Sequence, residues 1–507
     1  MASPLLFFLL PLLQLVAAAA SSVCVSQPIL LQLTHSLSKA QFNSTPHLLR
    51  AISARSAARF RHHHRHLSAA TTHHHHHRQV SLPLAPGSDY TLSFTLESDQ
   101  PQPVSLYMDT GSDLVWFPCS PFKCILCEGK PTPNPALLNT SSASPVSCQS
   151  ASCSAAHSAR SSSDLCAIAR CPLESIETSE CASFSCPPFY YAYADGSFIA
   201  RLYRNSISIP MSSPSLVLHN FTFGCAHSAL GEPVGVAGFG RGLLSLPAQL
   251  SRHSPQLGSR FSYCLVSHSF ESDRVRQPSP LILGRNTESK QKKSSVNQKE
   301  GEFVYTQMLN NPKHPYFYCV GLEGISVGRK YIPAPSSLKK VDRKGNGGMV
   351  VDSGTTFTML PSSLYNSMVA EYEQRLGRVH ERARGIEEKT GLSPCYYFDD
   401  RSKVGGSNTN VPTVSLHFAG TNESTMVLPR ENYFYDFVDG GDGLSGRKRK
   451  VGCLMLMNGG DEAELGGGPT ATLGNYQQQG FEVVYDLEEG KVGFARRHCA
   501  SLWDSLN

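Results

Sequence analysis

The chain has 507 residues, 40% of them hydrophobic and 17% charged, a balance that leaves ample core for several average domains and excludes a long disordered polyampholyte. The formal net charge of +5 is uneven, because no acidic residue precedes Asp89 whereas Lys39, Arg50, Arg55, Arg59, Arg61, Arg65 and Arg78 all do. The rest of the chain is slightly acidic, so composition gives no support to nucleic-acid binding, which needs a basic face to displace phosphate counterions.

The apolar run from Pro4 to Ala20 contains Pro11 and Gln14 and closes on alanines. It falls short of the roughly 20 residues a membrane span needs, and reads as a signal peptide over 1–20. No later run of that length follows, and the last residues lack a lipid-anchor tail, so a secreted product without a membrane anchor is expected. Residues 21–84 are rich in Ser, Ala, Arg and His, with histidines at 62–64, 66 and 73–77. They read as a basic pro-segment without a packed core, and solvated low complexity is preferred over metal capture by the histidines.

From Asp89 onward, short β-branched and aromatic stretches alternate with Gly/Pro turns. YTLSFTL, PVSLYMD, SLVLHNFTFG, EFVYTQML, YFYCVGLEGISV, GGMVVDSG, FEVVYDL and KVGFA predict a mostly β body. Helices are predicted at Leu244–Ser251 and Ser362–Arg375, both peripheral. The polar stretch Arg285–Gly301 is read as lying near a seam, giving an N-terminal lobe over 85–285 and a C-terminal lobe over 286–507. Arg447–Lys450 is read as a solvated loop.

The chain has 16 cysteines. In a secreted protein these predict disulfides in preference to zinc ligands, even for Cys124 and Cys127 in their Cys-x2-Cys spacing. A dense group runs from Cys119 through Cys186. Setting aside Cys24 in the leader leaves an odd number, so at least one thiol is unpaired or joined to another chain, while the connectivity stays open. Asn139, Asn220 and Asn422 begin Asn-x-Ser/Thr acceptors in the body, as Asn43 does in the leader, and are glycosylation candidates.

The chemistry lies in an internal repeat. Leu106 to Ser112 (LYMDTGS) matches Met349 to Thr355 (MVVDSGT), and each copy is followed at nearly equal distance by an apolar-Gly echo, Val236-Ala237-Gly238 and Thr472-Leu473-Gly474. If a pseudo-twofold pairing of halves brings Asp109 and Asp352 together, two carboxylates in contact cannot both ionise cheaply and share a proton. One is then a base able to activate a water while the other is an acid able to polarise a carbonyl.

These two motifs resemble the catalytic signatures of the pepsin-like aspartic peptidases over about Asp89 to Cys499. The cysteine-rich stretch Cys119–Cys186 is most similar to the plant nucellin-like or nepenthesin-like branch. The resemblance implies two β-barrel-like lobes with a cleft between them, and no cofactor or metal. It implies Asp109 and Asp352 as the catalytic pair, Thr110 and Ser353 bonded reciprocally beneath it, and Ser112 and Thr355 on the outer carboxylate oxygens. Tyr193 matches the flap tyrosine, and Trp116, seven residues after Asp109, matches the tryptophan that supports it.

Three departures stand out. Ala194 replaces a common flap glycine, Cys319 takes the place of an ordinary strand residue and is the candidate unpaired thiol, and no saposin-like insert interrupts the second half. The implied function is a secreted, monomeric acid endopeptidase acting on polypeptides and covered by its own pro-segment. Extracellular space or cell wall is favoured over the vacuole. The rival is an inactive pepsin-fold protein that binds cell-wall enzymes, and the intact set Asp109, Asp352 and Tyr193 weighs against it.

Overall fold

A computed structural model describes residues 29–35, 42, 44–65, 90–97, 101–127, 140–193, 196–209, 216–231, 233–253, 255–267, 278–285, 302–398, 411–420, 424–440, 448–461 and 468–506. The signal peptide, most of the histidine tract, the polar stretch 286–301, Asn139 and Asn422 lie outside the described residues.

The predicted strands form. In Tyr90–Leu96 the apolar side chains Tyr90, Leu92, Phe94 and Leu96 are buried while the residues between them face outward, as the twofold repeat of a half-buried strand requires. This strand pairs antiparallel with Gln102–Asp109. In the first half the long strands Gly196–Ile209 and Leu216–Leu230 pair with each other, and Phe189–Tyr193 folds back on the first of them as a hairpin. The second half holds a four-stranded sheet (Lys330–Pro333, Leu322–Val327, Val414–Phe418, Thr425–Leu428) and a three-stranded one (Cys395–Phe398, Arg449–Leu454, Phe434–Asp439).

One antiparallel sheet joins the halves. Its strands run in the order Ile29–His35, Ser279–Leu283, Arg260–Cys264, Phe481–Asp486, Lys491–Arg496, Val304–Leu309. Three strands precede the seam and three follow it, so the pseudo-twofold axis passes between Arg260–Cys264 and Phe481–Asp486. Every residue of Phe481–Asp486 is buried, acids included. Glu482 is compensated by Arg285 (2.7 Å), Arg497 (3.4 Å) and the Ser262 hydroxyl (2.9 Å), and Asp486 by Arg260 (2.6 Å). Buried charges persist when they are matched in this way.

The leader departs from expectation. Thr45–Arg65 is a helix whose Leu48, Leu49, Ile52 and Phe60 are buried in a cluster with Phe357, Met359, Ile386, Tyr435, Phe437 and Met457. The expectation of no packed core fails because the histidine tract dominates the composition. Upstream of that tract, Leu48, Ile52 and Phe60 recur at multiples of four positions and make a helical stripe. Each such side chain contributes roughly 1.5–3 kcal/mol on full burial. The body helices occur as Leu246–His253 and Ser362–Leu376. Both lie on the outside of the strands yet bury one face, the second through Leu364, Met368, Tyr372 and Leu376.

Among the described residues seven disulfides form: Cys119–Cys225, Cys124–Cys127, Cys148–Cys166, Cys153–Cys186, Cys171–Cys181, Cys264–Cys499 and Cys395–Cys453. Three of them staple the short helices Ala151–Ala156, Ser162–Ile168 and Leu173–Glu177, the first two capped by Ser150 and Ser161. Cys153, His157 and Cys186 lie close enough to suggest a metal, but both sulfurs of the group are spent in the Cys153–Cys186 disulfide. Cys319 is free and buried. The basic run is a second correction. Arg449 and Lys450 open a strand, with Arg449 paired to Glu381 and stacked on Tyr397 and Lys450 paired to Asp436. Ring stacking and opposite charge hold a segment that composition alone assigns to solvent.

Candidate active site

In each half the repeat builds the same local structure. Tyr107, Met108 and Asp109 run parallel to Val236, Ala237 and Gly238, and Met349, Val350 and Val351 run parallel to Ala471, Thr472 and Leu473. The apolar-Gly echo is therefore the strand that lies beside each aspartate-bearing strand. Asp109 and Asp352 emerge at the ends of these pairs and face each other across the pseudo-twofold axis, 2% and 0% exposed.

Hydroxyl residues lock the two turns together. Ser353 N–H donates to Thr110 Oγ1 at 2.8 Å and Thr110 N–H to Ser353 Oγ at 3.0 Å. The hydroxyls donate onward to the opposite strands, Thr110 to Val351 O at 3.0 Å and Ser353 to Met108 O at 3.1 Å. Each carboxylate then takes two matched donors. Asp109 accepts from Gly111 N–H (2.9 Å) and Ser112 Oγ (2.6 Å), and Asp352 from Gly354 N–H (2.8 Å) and Thr355 Oγ1 (2.6 Å). Glycine is required at 111 and 354 because each meets the opposing acid. A Cβ at Gly111 would lie 2.7 Å from the Asp352 carboxyl carbon, and one at Gly354 would lie 2.5 Å from Asp109 Oδ1.

Trp116 Nε1–H donates to Tyr193 Oη at 2.9 Å. Burial, reinforced by the charge of Asp109, holds the Tyr193 phenol well above its ordinary pKa, so it stays protonated and keeps its own hydrogen to offer. The turn residues Ala194 and Asp195 lie outside the described residues. Asn220 is exposed, with φ of 55°.

Two residues near the pair escaped sequence reasoning. Arg59, on the leader helix, is 8% exposed and bridges the aspartates, with Nη2 donating to Asp109 Oδ1 and Nε to Asp352 Oδ2 at 3.0 Å. Nothing local in the sequence separates Arg59 from the other leader arginines. The helix around it is fixed by Ser53 Oγ donating to Thr390 O (2.6 Å) and by Ser56 Oγ accepting from Phe357 N–H (3.1 Å). The second is Asp113, whose Oδ1 accepts from Gly242 N–H at 2.7 Å. Burial, opposed by that bond and reinforced by Asp109, raises its carboxyl to about 7. Only the spatial return of Gly242 to the Asp113 turn reveals it.

Comparison with known proteins follows this geometry. Two family descriptions match, "Xylanase inhibitor N-terminal" over residues 90–285 and "Xylanase inhibitor C-terminal" over 317–496. A probable aspartyl protease of Arabidopsis thaliana is 60% identical over 496 residues, covering 95% of each chain. The aspartic proteinase nepenthesin-2 of Nepenthes gracilis is 30% identical over 401 residues, covering 78% of this chain and 75% of its own. Among solved structures, EDGP superposes with a TM-score of 0.59 at 16% identity, covering 94% of this chain and 96% of its own. Basic 7S globulin from soybean superposes with a TM-score of 0.57 at 16% identity, covering 92% and 96%. At these identities the structural likeness speaks for the fold alone, the mostly β, two-lobed pepsin-like arrangement.

Proposed function

Since the chain belongs to the plant aspartyl protease family of pepsin-like fold, we propose that it is an active acid endopeptidase made as a secreted precursor. The observation that carries this reading is the completeness of the pair: both acids, their matched hydroxyl and amide donors, and the Trp116–Tyr193 bond. With one proton between them, the ionised carboxylate takes a proton from a water as it adds to the peptide carbonyl. The protonated one gives its hydrogen to the carbonyl oxygen, and the tetrahedral intermediate then collapses with protonation of the leaving nitrogen. Tyr193 donates toward the substrate from the flap.

The helix Thr45–Arg65 acts as the pro-segment in this reading, because Arg59 occupies the space the water needs. Its two ion pairs require two ionised carboxylates, so protonation of either removes one. Acid thus loosens the cation, while the apolar stripe of the helix holds until the chain is cut. The acid trigger in this reading is the aspartate pair itself. Residues 1–20 serve as the signal peptide and the extracellular space or wall is the favoured destination. On that route Asn220 carries a glycan, and enzymatic deglycosylation is expected to lower the mass of the wild type by one glycan more than that of Asn220→Gln.

The direct test acidifies the purified full-length chain and assays cleavage of acid-denatured globin at pH 3–5. Wild type is expected to cleave, and Asp109→Asn to lose at least roughly a thousandfold. A matured, folded wild type that cleaves nothing would favour the binding-protein reading, which the family descriptions name.

A further inference from the structure

We infer that Gln478, oriented by Tyr263, is a positioning residue for Asp352 that substitutes for a backbone hydrogen bond present only in the other half of the molecule. The inference rests on the peptidase reading and deepens it.

The repeat makes the asymmetry visible. Beside the first aspartate, Phe239 N–H donates to Asp109 O at 2.7 Å and Gly240 N–H to Ser112 O at 2.8 Å. In the second half Asn475 corresponds to Phe239. Its N–H donates instead to Thr355 O at 2.7 Å, and the next amide, Tyr476, to Thr356 O at 2.9 Å. The register has slipped, and no backbone amide of this turn reaches Asp352 O. The Gln478 side chain fills the gap. Its Nε2 donates to Leu473 O at 2.9 Å and, by a longer bond, to Asp352 O at 3.4 Å. Leu473 O also accepts from Asp352 N–H at 3.0 Å. One amide thus clips the end of the strand pair where Asp352 leaves it. The corresponding position in the first half is Gly242, which has no side chain.

An amide can flip, and this one is prevented from doing so. Gln478 Oε1 accepts from Tyr263 Oη, and Tyr263 Oη lies 2.9 Å from Tyr485 Oη. With both Gln478 hydrogens committed to carbonyls and the Tyr263 hydrogen committed to Oε1, the Tyr485 hydroxyl donates to Tyr263. Burial holds both phenols above their ordinary values, so the chain stays protonated across the acid range. Tyr263, Gln478 and Tyr485 are fully buried, and the two tyrosines come from the strands on either side of the pseudo-twofold axis. A chain of hydrogen bonds therefore ties the Asp352 backbone to the centre of the joining sheet.

Loss of the clip leaves a buried carbonyl without its donor and lets Asp352 drift from Asp109. A wider separation weakens the coupling between the carboxyls, and their two macroscopic pKa values draw together. The experiment compares Gln478→Leu, Tyr263→Phe and the double variant with wild type, each acid-matured from the full chain. Rates on acid-denatured globin are normalised to active sites titrated with a tight-binding transition-state analogue. Tyr372→Phe, which removes a buried hydroxyl remote from the pair, is the control. Gln478→Leu and Tyr263→Phe are expected to lower kcat roughly tenfold with KM within about twofold. The bell of kcat/KM against pH is expected to narrow from both sides, the double variant to be no worse than Gln478→Leu alone, and the control to be unchanged.

Wild-type width and kcat per titrated site in Tyr263→Phe, which keeps the packing, would overturn the inference. If wild type cleaves nothing, the peptidase reading fails separately. The same comparison is then made on the pH dependence of affinity for a peptide of residues 45–65, and an unshifted curve in the variants overturns the positioning role.

Discussion

Asp113 shows how one side chain can tie stability to pH. Its carboxyl faces Asp109 and the phenols of Tyr191, Tyr316 and Tyr318, with no cation among these neighbours. A Cβ at Gly242 would fall 1.6 Å from Asp113 Oδ2, so the glycine turn and the acid are built for each other. An acid raised to about 7 holds its proton more tightly in the folded than in the unfolded chain. Its contribution is therefore whole below the unfolded value near ~4 and is lost as pH climbs through about 7. A fully enclosed group would lose about 4 kcal/mol, and partial exposure reduces this to about 2 kcal/mol. Asp113→Asn is expected to raise Tm at pH 7.5 relative to wild type and to leave it unchanged at pH 4. A rise of equal size at both values would mean that the carboxyl does not titrate in the fold.

The same scale marks what the sequence could disclose. Asp109 and Asp352 were legible because each carries its local pattern with it and the pattern occurs twice. Tyr193 and Trp116 were legible only through the family resemblance, Tyr193 by the turn that follows it and Trp116 by its place seven residues after Asp109. Gln478 was not legible, since its value comes from a one-residue slip between two turns that only the paired structure exposes. Arg59 was not legible either, because a lone arginine in a biased segment has no pattern to distinguish it.

Among the elements, the leader helix combines two kinds of contact with opposite responses to acid. Its apolar stripe packs independently of pH, whereas Arg59 depends on charge at the pair. Arg59→Gln keeps the stripe and removes the cation, leaving two buried carboxylates that repel each other. The variant precursor is expected to mature at a higher pH than wild type, by on the order of one unit, as followed by the loss of the leader on gels over time. Maturation at an unchanged pH would remove Arg59 from the switch. The strands were predicted well because twofold alternation survives in sequence. The leader helix was missed because its stripe adjoins a histidine tract that overwhelms a composition-based reading.

At the scale of the molecule, the joining sheet explains why two aspartates 243 positions apart meet at all. Arg260–Cys264 and Phe481–Asp486 pair across the axis, and Cys264–Cys499 ties the C-terminal helix Cys499–Leu506 to the first of them. The buried charges of Glu482 and Asp486, each matched to arginine, add direction to that pairing. The two-lobed class was legible through the resemblance that the repeated motif carries, and the duplicated echoes prove to be the duplicated strand partners. The disulfide connectivity was not, because spacing alone permits many pairings. The leader strand Ile29–His35 at the sheet edge was not either, because its pairing with Ser279–Leu283 is long-range.

In the proposed mechanism Asp109 and Asp352 work as one proton-sharing unit. It is tested most directly by kcat/KM against pH for acid-matured wild type, with Asp109→Asn and Asp352→Asn measured beside it. A bell with both limbs below neutral pH is expected, with loss of activity in either variant. A rate that rises toward pH 8, or that survives replacement of either aspartate, would contradict it.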